Sequence, residues 1–237
     1  MGAIYRLTLR QLSGRWRLSI MTVLSAMPVV IAAIVTHSSH APSVHDFEDI
    51  AFNTLLAGSI IPLVVLAIAT AAFANEVEDQ TLANLTLAPI PRWKIAVPKL
   101  LAVITIATPF IAVSALLTSH IAFLADTKAT IAVTVSAVVA VALYSTAFVW
   151  LGLVTTQAIG VGLLYIVLWE GFFSRFVSGV RLLSIRDYAI AWMHGLDARR
   201  FAQSDLLGFA VAIVTSVIVF GGFLLLAIRR LKRMDVP

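Results

Sequence analysis

The chain has 237 residues, of which 60% are hydrophobic and only 12% charged, with a formal net charge of +5 and no cysteine. That balance excludes a soluble domain of this length, and the missing cysteines exclude disulfides and thiolate metal sites. No G-x-x-x-x-G-K-[ST], H-E-x-x-H or G-x-S-x-G sequence occurs, so no nucleotide site or familiar hydrolytic site is written in the chain.

The first 17 residues read as an amphipathic helix at the membrane surface. Tyr5, Leu9, Leu12 and Trp16 recur at helical spacing as one apolar stripe, and Arg6, Arg10 and Arg17 share a neighbouring face. Such a helix lies in the headgroup plane, with its arginines near anionic lipid. Uncharged runs follow over 18–36, 50–75, 100–125 and 206–228, each meeting the roughly 20 residues that a bilayer crossing needs. A further uncharged run, 129–169, is long enough for two crossings, with Thr155-Thr156-Gln157 as the natural turn. The first run follows a basic segment and ends without an A-x-A site, so it reads as a span and not as a signal peptide. The predicted architecture is therefore all-α: a polytopic membrane protein with six transmembrane helices, forming one domain over residues 1–237.

Lysine and arginine placement sets the orientation. With both termini inside, the cytoplasmic side holds Arg6, Arg10, Arg15, Arg17, Arg92, Lys94, Lys99, Arg229, Arg230, Lys232 and Arg233. The outer loops hold Lys128 and a later cluster of Arg175, Arg181, Arg186, Arg199 and Arg200. The bias follows the positive-inside rule. It makes the net charge a matter of topology and not of nucleic-acid binding, and it predicts a multi-pass plasma-membrane protein with both termini in the cytoplasm.

The stretch 76–94, between the second and third spans, carries the most character. Thr81, Leu82, Leu85 and Ala88 have helical spacing, Pro89 ends that short helix, and Pro91 fixes a turn before Arg92, Trp93 and Lys94. Trp93 and Lys94 suit the interface, where an aromatic ring and a snorkelling amine are both favoured. Glu170 is the one acid deep in an apolar run, about a dozen residues beyond the turn at Gln157 and hence in the outer half of the bilayer. An intramembrane carboxylate is a candidate gate by default. The competing reading is structural, an ion pair with Arg175 or Arg181 or hydrogen bonds to backbone freed at Gly171. The segment 171–205 alternates apolar groups with arginines, as interfacial helices covering the outer face would. His37, His40 and His45 fall in one loop, which does not fix a metal-ligand geometry, so no metal site is assigned.

The pattern Glu76-x-Glu78-x-x-Thr81-Leu82-x-x-Leu85, then Leu87-x-Pro89-x-Pro91-Arg92 and Lys99-Leu100-Leu101, resembles the cytoplasmic loop of ABC-2-type transporter permeases. Members read E-x-E-x-x-T-L-x-x-L-L-x-x-P-x-x-R, with a lysine opening the next span. Thr86 stands where a second leucine is common, and Arg92 directly follows a proline. The amphipathic first segment and the stretch 163–176 are similar to the family as well. The resemblance implies a permease subunit of an ATP-driven exporter, working as a homodimer or heterodimer beside membrane lipid. It also implies a separate cytoplasmic ABC ATPase that binds the ATP and Mg, with no cofactor and no catalytic residue on this chain. In that setting Glu76 and Glu78 orient the loop by ion pairs, Thr81, Leu82 and Leu85 belong to the helix that enters the ATPase groove, Pro89 and Pro91 stiffen the link, and Arg92 completes the coupling motif. Two other classes fit less well. A secondary transporter needs several polar groups at mid-membrane, and only Glu170 qualifies. A non-transporting anchor for an ATPase would use the same loop.

Overall fold

The computed structural model describes residues 2–37, 48–73, 91–123, 126–173, 183–201 and 207–233. Every regular element among them is helical. Helix α1 (Gly2–Leu12) is followed by Ser13-Gly14 and then by α2 (Arg15–Thr36). Helix α3 starts as a π-helix, Glu48–Ile60, and continues as α-helix Ile61–Ala69; its apolar stretch is Ile50–Phe73. Helices α4 (Trp93–Ala122) and α5 (Thr127–Val154) form a long hairpin. Helix α6 runs as α-helix Ala158–Leu164 into π-helix Tyr165–Phe173. Helix α7 (Ile185–Leu196) is short, and α8 (Phe209–Arg233) closes the bundle.

Five of these helices, α2, α3, α4, α5 and α8, are long and apolar enough to cross a membrane. The sixth expected span, α6, is a shorter apolar helix over Ala158–Phe172. At 1.5 Å per residue it reaches roughly 22 Å, less than a hydrocarbon core of about 30 Å. Its far end carries Glu170, and α7 packs back there to receive that carboxylate.

Helices α3 and α5 form the centre, with most of their apolar windows buried, whereas α2 and α8 bury less than a quarter of theirs. Lipid is as apolar as a leucine side chain, so close packing and hydrogen bonds must hold these helices together. At Gly152 of α5 a Cβ would sit 3.0 Å from the Thr70 carbonyl oxygen and 3.2 Å from its Cα. Glycine there lets α5 meet the end of α3 backbone to backbone. Several hydroxyls within the spans bond back to the carbonyl four residues earlier, as Thr22, Ser119, Thr134 and Thr215 do at 2.7–2.8 Å, which satisfies those groups without water.

One end of the bundle is basic. There the end of α3, the start of α4, the end of α5 and the end of α8 come together: Lys99 bonds Ala72, Gly152 meets Thr70, and Arg230 Nε donates to the Leu153 carbonyl at 3.4 Å. Exposed Arg6, Arg10, Arg15, Arg229, Arg230, Lys232 and Arg233 surround it. Helix α1 lies against α4 at this end, with the Tyr5 hydroxyl donating to Thr105 Oγ1 at 3.0 Å. Its buried side is Thr8 and Leu12, with Tyr5 and Leu9 partly covered. Trp16 departs from the expected stripe: it lies beyond the break at Ser13-Gly14, in the first turn of α2, and is 78% exposed.

Candidate functional sites at the two ends of the bundle

At the end opposite the basic one, Glu170 is completely buried. Its Oε1 accepts from the Tyr144 hydroxyl at 3.1 Å, the Tyr165 hydroxyl at 2.9 Å and the Ile185 N–H at 3.0 Å. Its Oε2 accepts from the Ser184 hydroxyl at 2.6 Å. All four partners donate, which suits an acceptor-only carboxylate, and buried polar groups are stable only when paired in this way. Three elements supply the donors. Tyr144 comes from α5, Tyr165 from α6 one π-turn before the acid, and Ser184-Ile185 from the start of α7. Ser184 is the N-cap of α7 and also accepts from the Asp187 N–H at 3.2 Å. The carboxylate therefore sits at the positive end of a helix dipole.

The surroundings are aromatic and close-packed. Tyr144 stacks on Phe148 at 5.6 Å, Phe148 meets Tyr165 edge-on at 6.3 Å, and Trp169 Nε1 donates to the Leu183 carbonyl at 3.3 Å. Arg186 and Asp187, next along α7, are buried too. Gly58 of α3 makes room for Arg186: a Cβ there would lie 3.5 Å from the arginine Cδ and 2.8 Å from the Asn53 carbonyl oxygen. Beside the cluster an apolar cavity of about 480 Å³ is walled by Phe148, Trp150, Tyr165, Trp169, Tyr188 and Phe223.

A second polar group joins the α4–α5 hairpin to the segment after α7. Asp126 caps α5, accepting from the Lys128 N–H at 3.1 Å and the Ala129 N–H at 3.4 Å, and pairs with Arg200. Lys128 Nζ lies 3.7 Å from Asp197, and Arg200 covers the Phe123 ring at 4.9 Å. Partial desolvation pulls the Asp126 carboxyl upward. The N–H groups of Ala129 and Lys128 and the bonded charge of Arg200 outweigh it, holding the group below its ordinary value of 3.8.

At the basic end, Pro91 and Arg92 lead into α4. The Pro91 carbonyl accepts from the Lys94 N–H at 2.8 Å, and that of Arg92 from the Ile95 and Ala96 N–H groups at 3.1 Å. Lys94 Nζ lies 5.8 Å from the Trp93 ring centroid. Lys99 Nζ donates to the Ala72 carbonyl at 2.6 Å and rests 4.3 Å from the centroid of Phe73. Of the residues singled out in the sequence, Glu76, Glu78, Thr81, Leu82, Leu85 and Pro89 lie outside the described residues, as do Arg175 and Arg181. The hydrogen-bond partners of Glu170 given above are hydroxyls and a backbone N–H.

The family model for ABC-2 family transporter proteins matches residues 9–182, about three quarters of the chain. The chain belongs to the ABC-2 transporter family. It is a membrane permease of the ABC transporter class, and the matched region runs from the end of α1 through Glu170 of α6, stopping just before Ser184 and Ile185. No curated protein matches the permease at a significant level.

All four Glu170 partners, Tyr144, Tyr165, Ser184 and the Ile185 N–H, escape a reading of the sequence alone. Five residues apart on an α-helix, Tyr165 and Glu170 would point roughly 140° away from each other at 3.6 residues per turn. The π-helix closes bonds from i to i+5 and brings them to one side. The signal available in the sequence was the pair of tyrosines inside otherwise apolar runs, since a buried phenol needs a partner.

Proposed function

We propose that the chain is the membrane subunit of an ABC exporter, working as a dimer in the plasma membrane with a separate cytoplasmic ATPase. The carrying observation is where the helices flanking the connection 74–90 come together. These helices, α3 and α4, meet at the basic end, where positive charge accumulates on the cytoplasmic side. The sequence 76–91 has the acids, the leucines and the two prolines of an ATPase-docking element. ATP and Mg belong to the partner, and ATP-driven closure reaches the spans through residues 76–94, as a rigid-body displacement requires.

In this reading Glu170 is a structural seat for α7 on the outer side. Three donors converge on Oε1 and one on Oε2, all from within the bundle, so the carboxylate is committed to internal contacts. Helix α6 leaves a broad face of Ile159, Leu164, Val167, Leu168 and Phe172 exposed, which suits a second permease copy or lipid across the translocation path.

The test is purification of the tagged chain from its native membranes in mild detergent, with quantitative identification of what accompanies it. A P-loop ATPase at near-equal stoichiometry, lost on Leu85→Glu or Arg92→Glu, supports the proposal. A monodisperse chain with no ATPase refutes it and favours a secondary transporter, which ion-gradient-driven flux in liposomes would then reveal.

A further inference from the structure

Lys99 is 2% exposed and sits in the second turn of α4, on the same helix face as buried Ile95, Ala96 and Val103. Burying an ammonium costs several kcal/mol unless it is bonded, and a leucine or methionine would pack here without that cost. The charge is matched by its target. Ala72 follows the Thr70 C-cap of helix Ile61–Ala69, and its carbonyl accepts from the ammonium. The 2.6 Å bond to that carbonyl is charge-assisted, and the Phe73 ring beneath the ammonium adds a cation–π contact.

We propose that Lys99 is the positioning residue that makes α3 and α4 move as one body when the connection between them is displaced. The end of α3 that Lys99 grips is also the end packed backbone to backbone on Gly152 of α5. One turn earlier, Leu66 of α3 presses on Gly162 of α6, where a Cβ would lie 2.2 Å from its Cδ1. A displacement entering at α4 therefore passes through Lys99 to α3, and from α3 to α5 and α6. Without the ammonium, α4 could shift while the end of α3 stayed behind.

The inference rests on the ATPase-docking reading above, and the experiment separates the two. The chain contains no cysteine, so spin-label pairs can be introduced without clearing a background. One pair, at Ala67 and Leu101, reports on the α3–α4 junction; both sites are exposed. A second pair, at exposed Ile50 and Thr127, reports on the opposite end. Distances are measured in nanodiscs on the intact complex with its co-purified ATPase, spin-diluted with unlabelled chain, without nucleotide and with ATP plus vanadate.

In the natural chain the junction distance is expected to stay narrow and constant while the opposite-end distance shifts with nucleotide. Lys99→Met should broaden the junction distribution at least twofold and abolish the nucleotide-dependent shift, at unchanged ATPase stoichiometry. Lys99→Arg should restore part of that shift. Should Lys99→Met fail to accumulate, Phe73→Leu removes only the ring and should give the same effects in weaker form. An unchanged junction in both variants overturns the proposal, as does a broadened junction with the far-end shift intact. Absence of an ATPase from the natural chain's preparation defeats the docking reading itself, before any Lys99 variant is made.

Discussion

Replacing Glu170 by alanine removes the acceptor for four donors at once. The Tyr144 and Tyr165 phenols are held by their packed rings and the Ile185 N–H by the backbone, so these three cannot turn to new partners. Each buried donor left unmatched costs about 1–3 kcal/mol, so these three give a loss on the order of 3–9 kcal/mol for Glu170→Ala. That is a large fraction of the roughly 5–15 kcal/mol that holds a typical domain folded. Glu170→Gln keeps one carbonyl oxygen for the same three donors, and the Ser184 hydroxyl can rotate to accept from the new amide. The bonds weaken when the charge goes, but the cost of burying that charge goes too. The net loss for glutamine is expected at about 1–2 kcal/mol, by combination of these opposing effects. Equilibrium unfolding in mixed SDS micelles measures both, and hydrogen exchange over Ile185–Leu196 shows whether α7 opens first. If alanine lies within about 1 kcal/mol of the natural chain, or glutamine is as damaging as alanine, the carboxylate does not seat α7 in the way its distances indicate.

Three further outcomes are expected. Gly152→Ala should destabilise by about 1–2 kcal/mol despite alanine's better helix propensity, because its Cβ presses on Thr70 backbone that cannot move aside; a stabilised variant in the same unfolding assay would contradict the packing. Asp126, with its folded-state value depressed below 3.8, contributes stability above that pH and loses it as pH falls through the folded value. Melting of Asp126→Asn should therefore lie below that of the natural chain at pH 6, with the gap narrowing as pH falls below 3.8. Glu78→Gln and Arg92→Ala should leave membrane insertion unchanged but uncouple ATP turnover from transport in reconstituted complexes, and normal coupling in both would count against the docking segment.

The helical, multi-span architecture was legible because bilayer thickness imposes a length on every uncharged run. The basic end was legible for an equally simple reason, since lysine and arginine placement follows orientation. The length of α6 was harder to see. Residues 129–169 contain enough apolar residues for two crossings, but nothing in that count reveals that α6 turns π-helical and stops where a buried carboxylate meets the next helix. Glu170 stood out as a charge in an apolar run, whereas its partners did not, because they come from three elements and from a helical period other than 3.6. Lys99 was visible as the residue opening a span, but its role depends on the carbonyl of Ala72, 27 positions earlier.

The seam by which α6 joins the bundle has a consequence for which sequences this fold accepts. Its buried positions, Ala158, Gly162, Ile166 and Glu170, recur every four residues. Two of them are small, and the last is charged. In lipid no apolar driving force holds a helix to its neighbour, so attachment depends on the closeness allowed at Gly162 and on the polar anchor at Glu170. The outward-facing leucines, valines and phenylalanines of α6 can therefore exchange freely among apolar types. Loss of the carboxylate at position 170, or a bulky side chain at position 162, should release the helix, whereas a single methyl at 162 meets only the movable end of Leu66. Mutational tolerance along α6 is thus set by its least hydrophobic positions, the reverse of the rule for a helix buried in a soluble core.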